Sequence, residues 1–304
     1  QWEFYLDALY QGYRAKISNR QFTLPLYDAN TRFENIVLRP DGSSIQSLTV
    51  VDGLRPEQWQ GADTGQTDTL QVAIGGTYAN GPLRVDFDLA RTDSTYEVSN
   101  YSFDTAFAYT PVADIDFNIP GDNRGVEFAF RDFDASNPEN YVYRGFFDRH
   151  YIAAGDDVQA RVDLTYDTNS TLFPQVKFGL RYVDRNGSYE NGERYQNDED
   201  LRLSFGQVPL DFAMIPGGFN NSDVQAFRTW LAPTYQSLRH NVEAMRALAG
   251  FEAGRPPINP LQTYVAKEKA YTAYGQADFA LNTAIPVDGE LGVRIVKTRF
   301  DVQG

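Results

Sequence analysis

The chain contains no cysteine. Disulfides, thiolate catalysis and cysteine-based metal sites are therefore excluded. No apolar run reaches the ~18–20 residues that a membrane-spanning helix requires. Positive charge is short: 27 Lys and Arg stand against 41 Asp and Glu, for a formal net charge of -14. With no basic stripe to neutralise phosphates, nucleic acid is not an expected partner. There are only two histidines, His150 and His240, and neither has a second histidine at metal-ligand spacing. No G-x-S-x-G nucleophile motif is present, which removes the catalytic reading of Asp148-Arg149-His150. Carboxylates are so numerous that no pair stands out as a glycosidase site. The expectation is a protein that is not an enzyme and carries no metal or cofactor. The chain opens on Gln1 without a basic, apolar leader, and so reads as processed or truncated.

Aromatic residues are plentiful, with 19 Tyr and 21 Phe. They fall within segments where apolar and polar residues alternate, the period-two signal of a strand with two unlike faces. Leu70, Val72, Ile74 and Tyr78 oppose Gln71, Ala73 and Thr77, and Asn80-Gly81-Pro82 supplies a tight turn. The return strand sets Leu83, Val85, Phe87 and Leu89 against Arg84, Asp86 and Asp88. Val158, Val162 and Leu164 oppose Asp157, Arg161 and Asp163, followed by Val176, Phe178 and Leu180 opposite Lys177 and Arg181. Tyr271, Ala273, Ala277 and Phe279 oppose Thr272, Gln276 and Asp278, then Leu291, Val293 and Ile295 oppose Glu290 and Arg294. Trp2, Phe4, Leu6 and Tyr10 oppose Glu3, Tyr5 and Asp7 at the start.

Such strands fit a soluble antiparallel sheet as well as a membrane wall. Three features favour the wall. Tyr10, Tyr78, Tyr166, Tyr182 and Tyr271 stand near strand ends, as in an interfacial girdle. The segments are close to the ~9–11 residues of a tilted spanning strand. Short connections (79–82, 168–175, 282–289) alternate with long ones (17–68, 94–156, 187–263), the rhythm of outer-membrane barrels. The predicted spanning strands are 1–16, 66–79, 83–96, 157–167, 176–189, 264–281 and 289–302. Seven strands do not close a bacterial single-chain barrel. The expected fold class is thus all-β: a partial antiparallel transmembrane β-barrel with long extracellular loops, residues 1–304 being an internal fragment of the barrel domain.

The stretches VQARVDLTYD (158–167), FPQVKFGLRYVDRNGSYENGERY (173–195), EKAYTAYGQADFAL (268–281) and GELGVRIVKTRFDVQG (289–304) resemble the barrel of TonB-dependent outer-membrane receptors, in particular the large-loop type of proteobacteria that scavenge complex nutrients. The resemblance implies a parent barrel of about 22 strands, an N-terminal plug, and a segment that contacts TonB. This chain shows no plug, no TonB-contact segment and no closing strand with a terminal aromatic. It implies location in the bacterial outer membrane, contact with membrane lipid and lipopolysaccharide, and TonB-coupled uptake of a large nutrient, with oligosaccharide first and ferric siderophore second. A passive porin, or a soluble all-β carbohydrate-binding or carbohydrate-active domain, is the alternative. The soluble domain needs Val72, Phe87, Val162 and Phe178 in a dry core, whereas the barrel needs them facing lipid and Arg84, Arg161 and Arg181 facing the lumen.

In the long connections, Asp104 to Asp134 carries Phe107, Tyr109, Asp114, Asp116, Phe117, Asp122 and Glu127, and reads as a solvated acidic loop rather than a Ca²⁺ loop. Phe227, Leu231, Leu238, Val242 and Met245 recur at helix spacing, with Ser222 as cap, Pro233 as a break or restart and Gly250 as stop. This helical insert is expected to pack on neighbouring loops or to cover the barrel mouth. Aromatic faces stack on sugar rings and guanidinium forks bind carboxylates. The candidate ligand residues are therefore Trp59, Tyr141, Tyr143, Arg228, Trp230, Tyr235 and Arg239.

Overall fold

A computed structural model describes residues 1–117, 125–216, 227–281 and 284–304. The fold is antiparallel all-β, and no helix among the described residues is long and apolar enough to cross a membrane. Its strands are β1 (Trp2–Thr23), β2 (Arg32–Leu38), β3 (Ile45–Asp52), β4 (Glu57–Asn80), β5 (Leu83–Phe107), β6 (Ala113–Asp116), β7 (Glu127–Phe130), β8 (Tyr141–Asp167), β9 (Gln175–Asn197), β10 (Phe212–Met214), β11 (Leu231–Pro233), β12 (Tyr264–Leu281) and β13 (Val287–Gln303). Two short helices, α1 (Tyr235–His240) and α2 (Val242–Leu248), follow β11. The seven strands expected from the period-two signal form one sheet in the order β1-β4-β5-β8-β9-β12-β13. The β4–β5 turn is as tight as its residues demand: Asn80 pairs with Leu83, and Gly81 takes φ +56.

Register places the apolar stripes of all seven strands on one face. Phe4, Gly76, Phe87, Val162, Leu180, Ala273 and Ile295 form a single row across the sheet. This band lies open: Leu180 is 65% exposed and Ile295 69%. Val72, Val162 and Phe178 are exposed and Phe87 is half-buried, so none of these four lies in a dry core. The band has sharp rims. On the side away from the short turns, Tyr182 is followed two residues on by Asp184, and Tyr271 is preceded by Lys269 on the same face. At the turn side stand Trp2, Tyr78 and Tyr166. The opposite face is polar: Arg84 grips Asp86, Arg161 pairs with Asp163, and Arg181 donates to Gln159.

The strands run well past the band. β4 has 24 residues and β5 has 25; at ~3.3 Å per residue, β5 is about 80 Å long. The expected long loops therefore shrink, because β1, β5 and β9 continue into them and β4 and β8 start early. Beyond the rim both faces are of mixed polarity, which erases the period-two signal without unpairing the backbone.

At this far end the band-side face is sealed. Phe22, Tyr101, Phe103, Phe107, Tyr141, Tyr143 and Phe146 pack there against Phe205, Phe227, Trp230, Leu238 and Met245 from the connection after β9. A second sheet, β2-β3-β6-β7, closes over Leu48, Val50, Ala113 and Ile115. We call this structured end the cap. The described parts of these connections are thus folded, not open loops. Asp104 is fully buried on β5 rather than solvated, and Asp114 is held by Arg131 at 2.6 Å. Asp122 and Ser222 lie outside the described residues.

The helical insert is shorter than its spacing predicts. Phe227 and Leu231 precede the helices, and Leu231 and Pro233 lie in β11. Thr234 caps α1 by accepting from the Ser237 amide at 3.1 Å, and the chain passes Asn241 into α2 before Gly250 stops it at φ +69. Both helices serve the cap core on the band-side face, where the Arg246 guanidinium reaches Asp148 at 2.8 Å.

Candidate binding site

The polar face of the sheet carries the accessible aromatic side chains above the rim. Strand alternation puts Tyr96 (β5), Tyr151 (β8), Tyr189 (β9) and Tyr264 (β12) on this face. Their rings form a ladder across four strands, with centroids 5.9, 5.8 and 5.7 Å apart in sequence order. Ala153, opposite both Tyr96 and Tyr189, leaves room for the rings to meet. The Arg149 guanidinium lies 4.9 Å from the Tyr151 ring centre, and it donates to Asn191 Oδ1 at 2.8 Å and Tyr189 Oη at 3.1 Å. Glu193 is 3.5 Å from Arg149 and accepts from Gln262 at 3.2 Å; Asn191 in turn donates to Gln262. A cleft of about 550 Å³ opens here, lined by Arg149, Tyr189, Asn191, Glu193, Gln262 and Tyr264. Burial raises the Tyr151 hydroxyl pKa above its ordinary value.

A second aromatic station lies farther out on the same face. The Trp59 and Tyr195 rings meet at a tilt with centres 5.5 Å apart, Trp59 being half-buried and Tyr195 exposed. Tyr195 reaches this position by crossing Gly145, where a Cβ would stand 2.9 Å from its ring, and donates to Asp104 Oδ2 at 2.6 Å. A register shift between Asp104 and Thr105 admits one extra residue in β8. Arg144, beside it, contacts Asp104 at 3.2 Å and also Glu57. Burial raises the Asp104 carboxyl to about 6, against the opposing pull of Tyr195 and Arg144, and Oδ1 has no hydrogen-bond partner among the described residues. Burial works against the Arg144 charge, yet Asp104 and Glu57 hold its pKa above the ordinary value. Chemically, the wall offers flat ring faces flanked by charged and amide groups, the surface that a polyhydroxylated ring can stack on and bond to.

The structure separates the seven sequence-derived candidates. Trp59 lies on the aromatic wall. Tyr141, Tyr143 and Trp230 are at most 1% exposed, within the cap core, and offer a ligand no ring face. Tyr235 donates its hydroxyl to the Asp63 carbonyl at 3.0 Å, and Arg239 stacks over Tyr101 at 4.8 Å on the opposite face. Arg228 is exposed beside the core residue Phe227. The ladder escaped sequence reading because its members lie far apart in the chain and only register brings them together. The signal available was tyrosine recurring beyond the rim of successive strands. Neither a known family model nor a curated protein sequence matches this chain.

Proposed function

We propose that this chain is a wall segment of an outer-membrane β-barrel receptor that takes up a large nutrient, an oligosaccharide, by TonB-coupled transport. The observation that carries this reading is the open apolar band with its tyrosine rims. Water-facing proteins rarely leave so large an apolar patch bare, while a bilayer is a solvent for which such a surface is suited. The polar face then lines the lumen, and the two edge strands, β1 and β13, are the places where further strands of the barrel pair, since backbone groups in lipid must all be bonded. The ladder and the Trp59–Tyr195 pair support sugar as ligand, because successive ring faces suit a chain of pyranose rings. TonB is contacted through parts of a parent protein outside this chain.

Binding of a panel of neutral hexasaccharides to the membrane-extracted protein tests the ligand. Replacing Tyr189 and Tyr264 together by Ala should weaken the best binder at least tenfold; unchanged affinity removes the ladder from the site. Uptake in cells lacking TonB separates active from passive transport: uptake that persists makes the protein a porin. Recovery of the protein as a detergent-independent soluble monomer overturns the membrane reading.

A further inference from the structure

Although the chain is strongly acidic, it gathers cations at one place on its band-side face. Lys269 and Arg299 face each other across β12 and β13; Lys297 pairs with Tyr271 and Lys267 with Asp301. Alternation puts Lys267, Lys269, Lys297 and Arg299 on the same side as Tyr271 and Ile295, immediately beyond the apolar rim. All four are exposed. Lys269 meets Asp184 at 3.2 Å, while Lys267, Lys297 and Arg299 form no ion pair among the described residues. The carboxylates beside them on this face are Asp184 and Asp301, so positive charge is in excess.

The patch continues into an apolar trough. Toward the short turns, a groove of about 470 Å³ is walled on the band face by Val162, Leu180, Tyr182, Tyr271 and Ile295, with Lys297 at its rim. Tyr182 and Tyr271 form its head, with ring centres 5.2 Å apart. Apolar walls below and cations above match one kind of molecule, an amphiphile whose anionic head sits directly on an acyl chain. A phosphate ester suits the head best. Several ammonium groups and one guanidinium fork can share its oxygens, and basic residues near an anionic surface are drawn to it.

We propose that this surface is a binding site for a phosphorylated membrane lipid, with the phosphate on Lys269, Lys297 and Arg299 and an acyl chain along Leu180 and Ile295. The site rests on the membrane reading above and adds to it a preferred lipid at a fixed place on the wall. Lys267 stands one step farther out and recruits the headgroup.

The test reconstitutes the protein in phosphatidylcholine vesicles with or without a minor share of phosphatidic acid, then counts phosphatidic acid retained after exchange into detergent. The wild type should retain it saturably. The combined variant Lys267→Gln, Lys297→Gln, Arg299→Gln should retain at least tenfold less, while floating with phosphatidylcholine vesicles as the wild type does. Equal retention by wild type and variant overturns the site. Inorganic phosphate that displaces the lipid as effectively as dispersed phosphatidic acid does also overturns it, because the trough then plays no part. A protein that floats with no vesicle defeats the membrane reading and this site with it; flotation without selective retention defeats this site alone.

Discussion

One face of the seven-stranded sheet is treated in two ways along its length. Near the short turns, Leu180 is 65% exposed; at the far end of the same face, Phe103 is at 0%. The strands are continuous between these points and the side chains are equally apolar. What differs is the cover. At the far end the connections supply their own, from Phe227, Trp230 and Leu238 to the small sheet β2-β3-β6-β7. At the turn end the connections are too short to cover anything. The contrast shows that the chain can bury an apolar sheet face with its own residues, and leaves one specific band uncovered.

Experiments can break this contrast at either end. The largest effect is expected in the cap: Phe107→Ala removes a fully buried ring packed at 4.0 Å on Phe133, and should cost about 3–5 kcal/mol of cap stability, read by urea unfolding, without reducing vesicle flotation. Next, Leu180→Arg in the band should cost about 2–4 kcal/mol in lipid, measured by reversible unfolding in vesicles; a change near zero means that the band faces water. A smaller effect comes from Asp104. Its carboxyl is raised from 3.8 to about 6 by burial, so between those values the folded chain holds more proton than the unfolded one. Its contribution is favourable at low pH and is lost as pH rises through this window, by up to about 3 kcal/mol. Asp104→Asn should flatten this part of the pH profile of cap unfolding relative to wild type; parallel profiles would contradict the burial argument. The Tyr189 and Tyr264 double variant should leave both ends folded and change ligand affinity alone.

The seven sheet strands were legible because each has one apolar and one polar face near the turns. Their outward extensions were not, since above Tyr182 and Tyr271 neither face is uniform. Helix spacing misled at Phe227 and Leu231: these residues fill the cap core from an extended segment, where any spacing can be buried. Ala113 and Ile115 alternate with Asp114 and Asp116, but four residues are too few to distinguish a strand from chance. Of the candidate site, Trp59 was legible as an aromatic in a long connection. Tyr141, Tyr143 and Trp230 met the same criterion, yet they pack inside the cap, because aromatic residues serve a core as readily as a ligand. Register, which no single stretch of sequence carries, decided between the two.

The length of β4 and β5 has a mechanical consequence. Their pairing keeps one register from Asn80 opposite Leu83 to Glu57 opposite Ala106, interrupted at Ala62 and Asp63, so two long paired strands join the band to the cap. A pair of this kind has no hinge at the rim. A load applied to the cap is delivered along these strands to the band.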